Sequence, residues 1–126
     1  MSDDKQMTFD FVKDKQIVNA KDPAVKYDRD KERYDLVPAD ALNEIVKVYT
    51  YGAKKYGEDR NWEKGLSWGR VFGALMRHSW AFWRGKDTDD ESGLPHLAHA
   101  GWCVLTLLAY MKTHKEFDDR SKRISI

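Results

Sequence analysis

Within one stretch of this chain, Tyr51 to Ala100, lie paired lysines (Lys54, Lys55), an Asn61-Trp62 dipeptide and an Arg77-His78 pair. They are followed by four acids in five residues (Asp87, Asp89, Asp90, Glu91) and two histidines three apart (His96, His99). A small helical protein has no structural need for that mixture. Lysine and arginine hold phosphate oxygens. Carboxylates and imidazoles hold divalent metal ions. Together they point to chemistry on a nucleotide.

Each group also has an ordinary structural reading. His96, His99 and Cys103 recur at i, i+3 and i+7, so they share one face of a helix. The histidines are candidate metal ligands, with His99 also catalytic; Cys103 reads as a small buried residue. Carboxylates ahead of a helix N-terminus are favourable through the dipole alone. Four of them crowded together repel one another, and a divalent ion would relieve that repulsion. Asp90 and Glu91 are the candidates to hold it, with Glu91 also catalytic, whereas Asp87 and Asp89 read as solvated. Glu44 shares a helix face with Val48, Tyr51 and Lys55 and is a candidate metal ligand and catalytic carboxylate; otherwise it is a solvated helical glutamate. Lys54, Lys55, Tyr56 and Arg77 are candidate substrate contacts, the cations for phosphate. Asn61 can read a base edge and Trp62 can stack on a base, or the pair is a turn with a tryptophan lid on the core. His78 lies on an apolar stripe, as a core histidine or a substrate contact.

The elements that must position these groups are helical. Pro38 can open a first helix running to about Tyr56, ended by Gly57. Leu42, Ile45, Tyr49 and Gly52 mark its apolar stripe. Ser67 is a candidate N-cap for a second helix, Trp68 to about Arg84, with Val71, Leu75, His78 and Phe82 on its apolar face. A third runs from about Leu94 to His114, with Leu97, Gly101, Val104, Leu108 and Met111 as its apolar face. Ala98 and Gly101 leave room for a neighbouring helix. No segment alternates with period two long enough for a sheet. The expected fold is all-α: a small bundle of three main helices, with residues 1–35 an extended charged arm, 36–114 the helical nucleotide- and metal-binding domain, and 115–126 a frayed charged tail. A short strand or turn is expected near Phe9 to Val12. Three such helices make a thin core, so completion by a second copy, a homo-oligomer, is expected.

Composition excludes several classes. With 126 residues the chain is one domain. Its 22 basic and 21 acidic residues leave a net charge of +1, unlike a protein that coats duplex nucleic acid. One cysteine permits no intrachain disulfide and fits a reducing compartment. No apolar run approaches the roughly 18 residues of a membrane span. The N-terminus lacks the pattern of a secretory signal, so a cytoplasmic protein is expected.

The segments KERYDLVP, YGAKKYGEDRNWEKG and MRHSWAFWRGKDTDDESGLPHLAHA resemble the phage dATP/dGTP diphosphohydrolase-like domain, which is associated with the MazG-like all-α nucleotide pyrophosphohydrolases. The resemblance spans roughly Lys31 to Met111. It implies a phage-type enzyme dependent on Mg²⁺, Mn²⁺ or another divalent transition metal. That enzyme would cleave a purine deoxynucleoside triphosphate, dGTP or dATP, to the monophosphate and pyrophosphate. The chain departs from the MazG pattern of E-x-x-E on one helix and E-x-x-D on the next. Lys47 stands three residues after Glu44, and the later i, i+3 pair is His96 and His99. The alternative is a nucleotide-binding protein without catalysis that sequesters a nucleotide signal. An HD-type phosphohydrolase is a poorer fit, because no His-Asp dipeptide occurs.

Overall fold

Pro38 sets the start of the first long helix. Its ring fixes φ (−67°), it has no N–H to leave unpaired, and its extended ψ of 109° feeds the chain into α1, Ala39–Tyr56. Gly57 closes that helix at φ 72°, a left-handed conformation costly for residues with a Cβ. In this computed structural model, which describes residues 22–122, α2 spans Trp68–Trp83 and α3 spans His96–Thr113. Single 3₁₀ turns occupy Tyr34–Leu36, Asn61–Lys64 and Lys115–Phe117. The fold is all-α, with three main helices and no strand among the described residues.

The chain divides into two units, Met1–Val37 and Pro38–Ile126. The described part of the first is exposed except for a half-buried Asp28 and holds one 3₁₀ turn, beside which Arg33 grips Asp35 through two hydrogen bonds of 2.8 Å. The strand or turn expected near Phe9 to Val12 lies outside the described residues.

In the second unit α3 packs against both α1 and α2. Gly101 makes the first of these contacts possible: a Cβ there would sit 2.5 Å from Ile45 Cδ1. Trp68, Val71, Cys103 and Tyr110 form the buried centre, wrapped by Trp62, Leu66, Leu75, Trp102 and Phe117. Three polar contacts tie this region together. Tyr49 and Thr106 hydroxyls meet at 2.9 Å, Tyr110 donates to the Trp62 carbonyl at 2.5 Å, and Trp68 Nε1 donates to the His114 carbonyl at 3.1 Å.

One expectation fails here, and the apolar stripes do not all face the chain's own core. Leu97, Val104, Leu108 and Met111 of α3 lie open, each close to half exposed, as does Phe82 of α2 to a lesser degree. The buried side of α3 is instead His96, Ala98, Ala100, Cys103, Thr106 and Tyr110. Residues just past α3 also fold back rather than fray. Phe117 packs over Gly65, Asp119 Oδ1 accepts the Gly69 amide at 2.8 Å, and the Arg120 guanidinium covers the Trp68 ring at 4.7 Å. The Ser67 hydroxyl makes no capping bond. Asp119 therefore supplies, from fifty residues away, the carboxylate that a helix N-terminus favours.

Candidate active site: an aromatic and cationic cavity beside a histidine cluster

A cavity of ≈ 790 Å³ opens between α1, the Asn61–Lys64 turn, α2 and α3. That volume is within the range of pockets that enclose small ligands. Tyr49, Trp62 and Trp102 give it an aromatic wall, with Trp62 edge-on to Tyr49 at 6.0 Å and Trp102 tilted against Tyr49 at 5.6 Å. Lys55, Arg70 and Arg77 bring positive charge, and Asp89, Glu91, His78 and His99 line the remainder.

Helical spacing explains the grouping. Tyr51 and Lys55 are one turn apart on α1; Arg70, Ala74, Arg77 and His78 follow one face of α2. Tyr51 donates to Glu91 Oε2 at 2.7 Å and Lys55 Nζ pairs with the same oxygen at 2.7 Å. The Lys55 hydrogen bond, aided by Tyr51, holds the Glu91 carboxyl below the usual carboxylate range.

The acidic loop turns on Asp89. Its carboxylate Oδ2 accepts the Ser92 amide (2.9 Å) and hydroxyl (3.0 Å), its backbone carbonyl accepts the Gly93 amide (2.7 Å), and Gly93 sits at φ 72°. This is a side-chain-stabilised turn of the kind Asp-x-x-Ser-Gly encodes. A bridge between Thr88 and Pro95 closes it. Burial would raise the Asp89 carboxyl, but the Ser92 amide and hydroxyl, with His99 and His78, outweigh it and leave it lowered.

Three imidazoles meet there. His78 stacks on His99 at 4.5 Å and 10°, and its Nδ1 lies 2.8 Å from His96 Nδ1. His99 Nε2 lies 2.7 Å from the Ser92 hydroxyl and 3.8 Å from Asp89 Oδ2. With the Ser92 hydrogen assigned to Asp89 and its oxygen accepting the Leu94 amide, His99 carries its hydrogen on Nε2 and the lone pair of the neutral ring on Nδ1. Burial, then the neighbouring His99 and His96, pushes His78 down to about 4, so it is neutral at pH 7. Burial also lowers His99, against the pull of Asp89. His96 is 7% exposed and its Nε2 has no hydrogen-bond partner, an omission that costs about 1–3 kcal/mol in a protein interior.

Metal-ligating atoms of His78, Asp89 and His96 lie within 4.8 Å of one another. Two nitrogens and an oxygen suit a divalent first-row transition ion better than the all-oxygen preference of Mg²⁺.

The structure sorts the sequence candidates. Lys55, Tyr56, Asn61, Trp62, Arg77, His78, Glu91 and His99 line the cavity. His96 lies behind them, against His78. Glu44 does not line the cavity; its carboxylate is held by Lys47 at 2.9 Å. Lys54 is exposed outside it. Asp90 points to solvent, its side chain 86% exposed and paired with Lys86 at 2.6 Å. Asp89, expected to be solvated, is the inward acid. Arg70 was invisible as a candidate, although it lies on the Arg77 face. The Cys103 thiol is buried, which pushes it up to about 11.

With this geometry in view, comparison with known proteins is direct. The family model described as dATP/dGTP diphosphohydrolase, N-terminal, matches residues 21–120. A dATP/dGTP diphosphohydrolase of Salmonella phage PMBT28 is 32% identical over 96 residues, which are 76% of this chain and 32% of that protein. The chain thus spans about a third of the length of the curated relative it matches. No solved structure matches. No helix among the described residues is long and apolar enough to cross a membrane. The chain belongs to the dATP/dGTP diphosphohydrolase N-terminal family.

Proposed function

We propose that this chain hydrolyses purine deoxynucleoside triphosphates, dGTP or dATP, to the monophosphate and pyrophosphate. The observation that carries the reading is the cavity itself, which joins an aromatic wall for a base to Lys55, Arg70 and Arg77 for phosphates. The family supplies the substrate class through the name of its phage member.

In this reading Trp62 and Trp102 sandwich or flank the purine and Asn61 reads its edge. Arg77 and Arg70 neutralise the phosphate chain. Lys55 is restrained by Glu91 and Tyr51 in the ligand-free chain, so an incoming phosphate competes for an ammonium already in place. His99, whose Nε2–H is fixed by Ser92, keeps its Nδ1 lone pair for the attacking water's proton. Asp89 acts through Ser92, holding that tautomer. Glu91 is a further carboxylate at the cavity. The donor set for a divalent cation is drawn from Asp89, Glu91, His78, His96 and His99. Such an ion, when bound, offsets phosphate charge and lowers the pKa of a bound water.

The open apolar residues of α3 (Leu97, Val104, Leu108, Met111) and of α2 (Phe72, Met76, Trp80) support association with a second copy through these faces.

The test is pyrophosphate release from a panel of ribo- and deoxynucleoside triphosphates with Mg²⁺, Mn²⁺ and chelator. Metal-dependent release favouring dGTP or dATP is expected. Absence of product with every metal, while the same nucleotides raise the melting temperature, would leave a binding protein instead.

A further inference from the structure

We infer that His78, Asp89 and His96 form a binding centre for one divalent first-row transition ion, held at the inner end of the cavity. It rests on the reading above for its role in the reaction, but not for its existence.

The geometry begins with the two imidazoles. Their Nδ1 atoms are 2.8 Å apart. Two nitrogens bound to one ion at about 2.0–2.1 Å, at right angles, are roughly 3 Å apart. The same spacing also suits a hydrogen bond, and Asp89 adds what a hydrogen bond alone does not call for: its carboxylate lies within 4.8 Å of the ligand atoms of both rings. With both Nδ1 atoms on an ion, each neutral ring carries its hydrogen on Nε2.

Asp89 completes the set from the other side. Both Ser92 bonds fall on Oδ2, so Oδ1 is not engaged by Ser92. The Ser92 bonds orient the carboxylate as outer partners orient metal ligands. The three residues come from three places: the middle of α2, the acidic loop and the first turn of α3. The Thr88–Pro95 bridge and the bond from the His96 amide to the Asp87 carbonyl (2.9 Å) fix the loop against α3. His78 and Asp89 line the cavity while His96 lies behind, so ligand positions left open by the protein face the cavity.

The ligand chemistry chooses the ion. Two imidazoles with one carboxylate favour Mn²⁺, Fe²⁺, Co²⁺ or Zn²⁺ over Mg²⁺, which prefers oxygen and gives up water reluctantly.

The experiment needs no nucleotide. Chelator-stripped full-length protein is titrated with Co²⁺, followed by visible absorption and calorimetry, with millimolar Mg²⁺ as competitor. One ion per chain, a visible d–d band and indifference to Mg²⁺ are expected. H78Q, D89N and H96Q should each weaken binding at least about tenfold. Should a variant fail to fold, pulsed EPR of the wild-type protein with Mn²⁺ decides, because directly bound imidazole gives nitrogen couplings. No saturable Co²⁺ binding, unchanged affinity in folded H96Q, or Mn²⁺ without nitrogen coupling would overturn the inference. Pyrophosphate release with Mg²⁺ alone, without such binding, would sink the centre and leave the proposed function standing.

Discussion

Along α3, Cys103, Thr106 and Tyr110 are sealed from solvent, while Leu97, Val104, Leu108 and Met111 on the other side are each close to half exposed. The more apolar face is the open one. The buried face contains a thiol, hydroxyls and two histidines, and most of its N–H and O–H groups are paired: Thr106 has Tyr49, Tyr110 has the Trp62 carbonyl, His99 has Ser92. Specific pairing, not average hydropathy, decides which side of this helix faces the chain's own core. The exception, His96 Nε2, sits where ligand chemistry is gathered.

The contrast is sharpest in activity. His99→Ala removes the inner-face imidazole nearest the cavity without opening the Tyr110 end of the core. Pyrophosphate release should fall by about 10²–10⁴-fold, the span of a lost general base, with the melting temperature little changed. Activity within a few fold of wild type would remove His99 from the chemistry.

The inner face should also show itself in alkali. Burial, partly offset by Arg77, raises the Cys103 thiol from 9.0 to about 11. The unfolded chain therefore loses this proton first, and the folded state binds more protons between those values. Stability from this group is complete below pH 9 and lost as pH rises to about 11, a total of about 2–3 kcal/mol. Denaturant melts across that window should lose the extra decline in Cys103→Ala, measured against that variant's own neutral-pH stability. An equal decline in both proteins would place the cause elsewhere.

Gly101 tests the seam where the faces divide. Gly101→Val drives side-chain atoms into Ile45, whose Cδ1 lies 2.5 Å from a built Cβ, and should cost about 1–3 kcal/mol. Pairing it with Ile45→Ala should restore part of the loss. A second variant, Asp119→Ala, removes the remote cap on the Gly69 amide and should cost about 1 kcal/mol in a urea melt. An unchanged midpoint would mean that solvent serves that amide as well as Asp119 does.

Much of this was readable in the chain. Pro38 and Gly57 bracket α1 because their backbone restrictions are local, and the i, i+3, i+7 spacing placed His96, His99 and Cys103 together on a face opposite the Leu97 stripe. Asp89 was not readable, because in a tight turn one residue decides between a carboxylate aimed at His99 and one aimed at water, as Asp90 is. Its signal, a serine and glycine three and four residues on, is one of turn chemistry rather than charge density. The fold-back of Phe117 and Asp119 was hidden for another reason: each contact spans about fifty positions, beyond any periodicity. The stripe of Leu97, Val104 and Leu108 was read correctly as apolar, but a pattern says what avoids water and not what covers it.

The outer face carries the smallest expected change in the chain itself. Leu108 is 54% exposed, so Leu108→Lys removes little buried area and should shift the stability of the isolated chain by within about 0.5 kcal/mol. Its effect belongs to association. A charge in the middle of the stripe would have to be desolvated when two copies meet. Light scattering behind size exclusion should therefore report a multimer for the wild-type chain and a smaller species for the variant. The inner-face variant His99→Ala should keep the wild-type mass. A wild-type monomer, or a variant of unchanged mass, would mean that a second copy does not cover this face. The apolar side of α3 would then be open for another reason.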